Sequence, residues 1–399
     1  GPLDADVATH LNHLASFNSR QENPTAWEVD LRAGPNWLER FLREQPGNTV
    51  VLSGRNRQKI DLMRAAVGQA LNVLADKPWI VEPADFPKLD ELFRAAELHE
   101  VLVWDVMTER HEVTNRLQRE LVRDPDIFGG WQSGSPAQPA LVLESVHHLK
   151  KLVAGRPLVR PWWWFDPLIS GEAMADVGTH LADLALWLIA PDHPIDYLAD
   201  IAILDAESWP LVLSGEQFRE LTGLANYPAE LATQVVSGQL YYAGNGTVLF
   251  KLGDIHVKLG TQWEYEAPPR GGDTHAAIAL GTKARVSIRQ QPDGDPEVWV
   301  TPNDPADHAR MMRQLYVKCD DLREQLPGLS LTDRGTEVQF RIPDELRIGH
   351  EGHFALVMEE FTRYFQTPRA VPAWERPNTL AKYYITTRAV ELAREKRAK

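Results

Sequence analysis

The sequence predicts an α/β arrangement followed by an α+β one: a parallel sheet with crossover helices over residues 1–125, then an open, mostly antiparallel sheet with flanking helices over 126–399. Three observations carry this. Up to about residue 107, short apolar runs alternate with helix-period stretches, as strands buried on both faces of a parallel sheet do. From Thr233 onward the hydrophobic period becomes two. Between these regions, residues 171–189 read as one helix with a polar and an apolar face.

Residues 6–18 read as a helix with Val7, Leu11, Leu14 and Phe17 on one side. Residues 28–32 read as a short strand. Residues 37–45 read as a helix capped by Asn36, with Trp37, Phe41 and Leu42 inward. The buried parallel strands are expected at 48–53, 72–75 and 101–107, with helices at 58–70 and 87–97 between them. Open sheets of this kind bind ligands at the carboxyl ends of their strands. Those ends are Ser53-Gly54-Arg55-Asn56 and Ala75-Asp76-Lys77-Pro78.

Beyond a Pro- and Gly-rich stretch, residues 145–152 read as a helix and Arg160-Pro-Trp-Trp-Trp-Phe165 as an aromatic run. On the 171–189 helix, Asp176, His180 and Asp183 stand at i, i+4 and i+7 and share a face. Val177, Leu181, Leu184 and Leu188 form the adjoining apolar stripe. Residues 191–230, punctuated by Pro191, Pro194, Pro210 and Pro228, are expected to be irregular. Asn245-Gly246 between two apolar runs is the strongest hairpin signal. About six strands are expected after Thr233, closed by helices at 351–366 and 378–396.

Composition narrows the partners. The chain is 43% hydrophobic and 25% charged over 399 residues, enough for a large core. One cysteine, Cys319, excludes an internal disulfide and fits a reducing, cytoplasmic setting. A net charge of −14 argues against nucleic acid or an anionic membrane surface. No apolar run approaches the ~20 residues of a membrane span, and no secretion signal is read.

Leu71-Asn-Val-Leu-Ala-Asp-Lys-Pro78 resembles the strand ending in Glu-Lys-Pro of the glucose–fructose oxidoreductase, inositol dehydrogenase and rhizopine-catabolism family. Asp176-Val-Gly-Thr-His180-Leu-Ala-Asp183 is similar to that family's Asp-x-Gly-x-His-x-x-Asp helix, and Val50-Val-Leu-Ser-Gly-Arg-Asn56 to its Val-x-Ile-Ala-Thr-Pro-Asn segment. Met107-Thr-Glu-Arg-His111, the tryptophan run and Gly349-His-Glu-Gly-His-Phe354 are similar to a poorly characterised branch of it. The resemblance implies a Rossmann-like domain binding NAD or NADP. It also implies a second domain whose sheet makes a homodimer or homotetramer, and hydride transfer at a secondary alcohol or ketone of a sugar, glycoside or cyclitol. Asp76 and Gly54-Arg55 depart from the family pattern, and Gly-x-Gly-x-x-Gly does not occur. The matching order of elements places the family's first strand, glycine turn and second strand upstream of Gly1, on the order of 35 residues.

Taking a hydride from a carbinol carbon requires the hydroxyl proton to leave, so a base must stand within ~3 Å of that oxygen. His180 suits by its near-neutral titration; Lys77 would place positive charge at a developing alkoxide, and the two share the proton. Asp176 completes the catalytic set by binding substrate or orienting the imidazole, and Asp183 orders His180 from behind. Ser53, Asn56, Asp76, Lys77 and Pro78 are expected to hold the cofactor. Arg160, Trp162, Trp164, Asp176, Thr179, His180 and His353 are expected to hold a small carbohydrate-like substrate, one tryptophan acting as a stacking platform. The His350-Glu-Gly-His353 spacing does not match a zinc motif, so no metal is expected. Two other readings are an NAD-using glycosidase of the same superfamily and a non-catalytic sugar-binding or assembly protein.

Overall fold

A computed structural model describes residues 5–21, 23–32, 34–153, 156–269, 271–290 and 294–398. The chain divides into two units, residues 1–48 and 49–399. In the first, helices α1 (Ala5–Ser19) and α2 (Trp37–Glu44) form where the apolar spacing places them. No described residue of this unit is fully buried. Asn36 makes no side-chain cap, and Trp37 is exposed rather than inward. Residues 28–32 form no strand; an extended segment gains nothing without a ladder partner.

The second unit holds both sheets, and residue 125 lies inside it. It opens with β1 (Thr49–Leu52), α3 (Lys59–Val67), β2 (Asn72–Ala75), α4 (Phe86–Leu98) and β3 (Val103–Asp105). The strands pair in parallel in the order β1-β2-β3. Val51, on the edge strand β1, is 58% exposed: no described residue covers that face there, so the expectation of a strand covered on both faces fails at β1. Next come α5 (Val113–Val122), capped by the Glu112 carboxylate on the N–H groups of Thr114 and Asn115, and β4 (Leu141–Lys150). Short pieces β5 (Leu152–Val153), β6 (Arg156–Pro157) and α6 (Pro167–Ser170) lead to α7 (Ala173–Ile189), the expected two-faced helix.

The remainder is β7 (Ile201–Ser214), α8 (Gly215–Thr222), β8 (Val235–Val236), β9 (Gln239–Leu252), β10 (Ile255–Glu266), β11 (Thr274–Leu280), β12 (Ala284–Arg289) and β13 (Glu297–Pro302). Then follow α9 (His308–Leu322), β14 (Ser330–Asp333), β15 (Val338–Arg341), α10 (Gly349–Gln366) and α11 (Glu375–Arg397). The large sheet has ten strands rather than six, running β14-β15-β13-β12-β11-β4-β10-β9-β7, with β8 beside β9. Only the β10–β4 pair is parallel. One face of it, with α5, α7, α9 and α11, encloses the main core.

Three local expectations are overturned. Residues 145–152 are not a helix: Leu141, Leu143, Ser145 and His147 alternate inward along β4, which is laddered on both sides. Residues 191–230 are irregular only toward their ends, at 191–200 and 223–228; between them β7 runs through Pro210 and α8 follows. That proline sits at a register shift on an edge strand, where a missing N–H costs little. Asn245-Gly246 is not a turn but the middle of β9; the chain reverses later, after Leu252, at Gly253 with φ +58°. Asn245 Oδ1 accepts the Trp263 N–H at 2.6 Å. A Cβ at Gly246 would stand 3.0 Å from the Glu207 carbonyl oxygen. Both residues serve cross-strand neighbours that are far away in sequence.

Candidate functional site

The carboxyl ends of β2 and β3 face α7 across a cleft of about 1340 Å³. Lys77 leaves the end of β2, and its Nζ donates to Asp176 Oδ1 at 2.6 Å and to the Asp176 carbonyl at 3.3 Å. Both side chains are largely buried, at 15% and 19% exposure, so the pair is poorly screened. Burial opposes the Lys77 charge, but Asp176 and Asp76 outweigh it and hold the ammonium above its ordinary value. One helical turn from Asp176, burial and the Lys77 charge push His180 well below the usual imidazole range. Lys77 is therefore a charged donor and His180 a neutral imidazole in one cleft.

Of the expected site residues, Asp76, Lys77, Arg160, Trp164, Asp176 and His180 line this cleft. Others are placed elsewhere. Thr179 is fully buried and donates to the Ala175 carbonyl. Trp162 packs into the aromatic cluster around Phe165 and Tyr242. His353 is buried on α10, while His350, Glu351 and Phe354 beside it reach the cleft. Arg160 donates to the carbonyls of Leu149 and His148 and lies 4.2 Å over the Trp164 ring. Tyr242 also lies against that ring, at 4.9 Å, so Trp164 meets the cleft as part of a packed aromatic group.

At the expected cofactor end, Ser53 is exposed at the close of β1. Asn56 is committed: its Nδ2 donates to the Ser170 carbonyl at 2.8 Å and its Oδ1 accepts from Lys59 at 2.7 Å. Lys59 also donates to the Asp76 carbonyl at 2.7 Å, bracing the turn before Lys77 and the cis Lys77–Pro78 bond. Burial lowers Lys59 to about 8. These residues fit the nicotinamide end of a dinucleotide: a carboxylate and an ammonium at a strand end, facing an imidazole. Among the described residues the turns after β1 and β2 hold one glycine, Gly54, and no glycine-rich cradle for a pyrophosphate.

Asp183 does not order His180. It turns under the site, where Arg110 grips it through Nε and Nη2, each at 2.6 Å, and Lys382 donates to it at 3.2 Å. Burial works against its charge, yet the two cations hold its carboxyl down at about 2. Arg110 also donates to both oxygens of Glu375 at 3.0 Å. Lys382 bridges to Asp105 at 2.8 Å, which further accepts the Tyr383 hydroxyl at 2.9 Å. This network ties β3, α7 and α11 together beneath Lys77 and His180. Sequence reasoning missed it, although Met107–His111 had marked Arg110 as part of a motif.

The same motif contributes Glu109 to the cleft wall. Burial, then repulsion from Glu112, raises its carboxyl to about 7 against the pull of Lys77. A raised carboxyl is bound to its proton longer in the folded state, so the native protein loses stability as pH rises from the unfolded value through about 7. Glu109→Gln is expected to raise Tm relative to wild type at pH 8 and not at pH 5. An equal Tm difference at both values would refute this.

The fold and this site define a class: an oxidoreductase with a Rossmann-like parallel sheet and a large, mostly antiparallel one. The family described as "Putative oxidoreductase C terminal domain" matches residues 117–394, and the chain belongs to it. The fold that the motif resemblance to the glucose–fructose oxidoreductase and inositol dehydrogenase family implied is the fold of its neighbours. A "putative oxidoreductase" from Parabacteroides merdae is 39% identical, with TM-score 0.96, over 99% of this chain and 91% of that one. A "putative myo-inositol dehydrogenase" from Sinorhizobium meliloti shares the fold at 12% identity and TM-score 0.51, over 90% of this chain and 82% of that one. KijD10, a 3-ketoreductase from Actinomadura kijaniata in complex with NADP and TDP-benzene, shares it at 13% identity and TM-score 0.54, over 98% and 87%. No curated protein matches the sequence. No helix among the described residues is long and apolar enough to cross a membrane.

Proposed function

We propose that this chain is an NAD(P)-dependent oxidoreductase acting on a secondary alcohol or ketone of a sugar, glycoside or cyclitol. The observation that carries this reading is the facing set of Lys77, Asp176 and His180 in one cleft at the carboxyl end of the parallel sheet. NADP in the 3-ketoreductase of the same fold supports a nicotinamide cofactor. When bound, the nicotinamide supplies the hydride acceptor or donor. Asp76, Lys77 and Pro78 would hold its ribose end, and Lys77 would place its ammonium at the substrate oxygen. In oxidation that oxygen's proton passes to neutral His180, while the Lys77 charge stabilises the alkoxide as it forms. In reduction the same path runs backward: protonated His180 returns the proton to the new hydroxyl, while Lys77 keeps its charge on that oxygen. Asp176, released from part of its hold on Lys77, accepts from a neighbouring hydroxyl.

The test is NAD(P)H absorbance with a panel of sugars and cyclitols. His180→Ala should reduce turnover by about 10²-fold or more with the far-UV spectrum unchanged; undiminished turnover would remove His180 from the mechanism. The outer face of the large sheet carries Val142, Leu249, Ile278 and Leu280 around a second cavity of about 590 Å³. We place the homodimer or homotetramer contact there. Ile278, 40% exposed, should on Ile278→Asp shift the light-scattering mass toward monomer. An unchanged mass would argue against that face.

A further inference from the structure

The inner face of the large sheet changes from apolar to polar at the same level on three adjacent strands. On β4, Leu141 and Leu143 are fully buried, and Ser145 and His147 follow them on the same face. On β10, Val257 and Leu259 are followed by Thr261 and Trp263. On β11, Ala279 and Ala277 give way to His275. Register aligns the change. Ser145 stands opposite both Thr261 and His275, and His147 opposite Trp263, so these residues share one face.

Ser145, His147, Trp263 and His275 line the cleft described above. Ser145 Oγ, His147 Nε2, Trp263 Nε1 and His275 Nε2 are buried atoms without a hydrogen-bond partner in the protein. Ser145 is 7% and Trp263 6% exposed, so bulk solvent does not satisfy them. Polar atoms in such positions are completed by bound molecules with matching donors and acceptors. The shelf is also braced from behind. Asp273 accepts from His147 Nδ1 at 3.2 Å, from the His148 N–H at 3.0 Å and from Lys151. Gln290 Oε1 accepts the His275 N–H at 2.9 Å.

The charges around the shelf select the ligand further. Among the described residues each lysine lining the cleft already holds a carboxylate: Lys77 has Asp176, Lys150 has Glu220 and Glu266, and Lys151 has Asp273. Arg160, beside them, is held by two backbone carbonyls and by the Trp164 ring. Glu112 and Glu351 add further carboxylates to the wall. Burial keeps His275 neutral, with its titration lowered to about 4. Among the described residues the carboxylates of this wall outnumber its cations, which disfavours a phosphate.

The geometry points to a specificity shelf of Ser145, His147, Trp263 and His275 that reads the hydroxyls of an uncharged polyol or sugar and rejects phosphorylated or nucleotide-linked ones. This rests on the carbohydrate reading proposed above and narrows it. The test is calorimetry of the chain with myo-inositol, glucose and methyl glucoside, set against glucose 6-phosphate, inositol monophosphate and UDP-glucose. At least one neutral compound is expected to bind, and its charged counterpart at least tenfold more weakly. Ser145→Ala and His275→Ala should each weaken the neutral ligand about threefold to tenfold, the range of one neutral hydrogen bond. In turnover this should appear in KM with kcat nearly unchanged. Ser145→Ala removes one oxygen and keeps the strand, so it decides the matter if His275→Ala misfolds. Equal or tighter binding of the phosphorylated compounds, no binding by any compound, or indifference to both substitutions would overturn the shelf. A neutral ligand bound through the shelf without NAD(P)-linked turnover would uphold it and sink the oxidoreductase reading instead.

Discussion

Lys77→Met is expected to lower kcat by about 10²- to 10³-fold, the range for losing one group that stabilises a developing oxyanion. Methionine keeps the length of the apolar stem and removes the charge. The ammonium is the positive group placed against Asp176 at 2.6 Å. Without it, a developing alkoxide loses its stabilising charge. A second readout separates this from a packing effect. The Lys77 charge is one of the forces depressing His180, so the His180 titration should move upward in the variant, visible by NMR of the ring protons. A kcat within threefold of wild type, or an unmoved His180 titration, would show that the lysine does not act on this site.

Lys382→Met should cost about 3–5 kcal/mol of folding stability, as removal of one partner from a buried ion pair does. That is a large share of the ~5–15 kcal/mol that holds most domains folded. Lys382 is fully buried and touches both Asp105 and Asp183. Asp183 keeps Arg110, but Asp105 is left with the Tyr383 hydroxyl alone, and its Oδ1 already lacks a partner. Chemical denaturation should show a lower midpoint with an unchanged slope; a loss under 1 kcal/mol would mean the lysine is dispensable. The pH dependence follows from Asp183. Its folded value of about 2 lies below the ordinary 3.8, so its contribution, on the order of 2 kcal/mol, is present above pH ~4 and lost as pH falls through ~2. With one of its two cations gone, that acid-side loss should shrink in Lys382→Met.

The two-faced helix α7 and the strand end at Lys77 were legible because each depends on local spacing. A 3.6-residue period sets which side chains share a face, and a buried parallel strand reads as an apolar run. Asp176 and His180 consequently reach the cleft as expected. Asp183, on the same face, does not, because one further turn carries it under the cleft to Arg110 and Lys382. Thr179 and Trp162 were legible as neighbours of the site but not as residues turned away from it.

Local pattern along the chain was enough to read the class of fold, the order of its parts and the pairing of Lys77 with the α7 carboxylate–imidazole face. Long-range packing makes 141–150 a strand, sets Asn245-Gly246 within another, and brings Glu109, Ser145 and His275 to the same cleft. The physical reason is the reach of the interactions. Asn245 serves a backbone N–H on another strand, and Asp105 is satisfied by side chains from the last helix. No local period encodes partners brought together only when the two sheets and α11 close on one another.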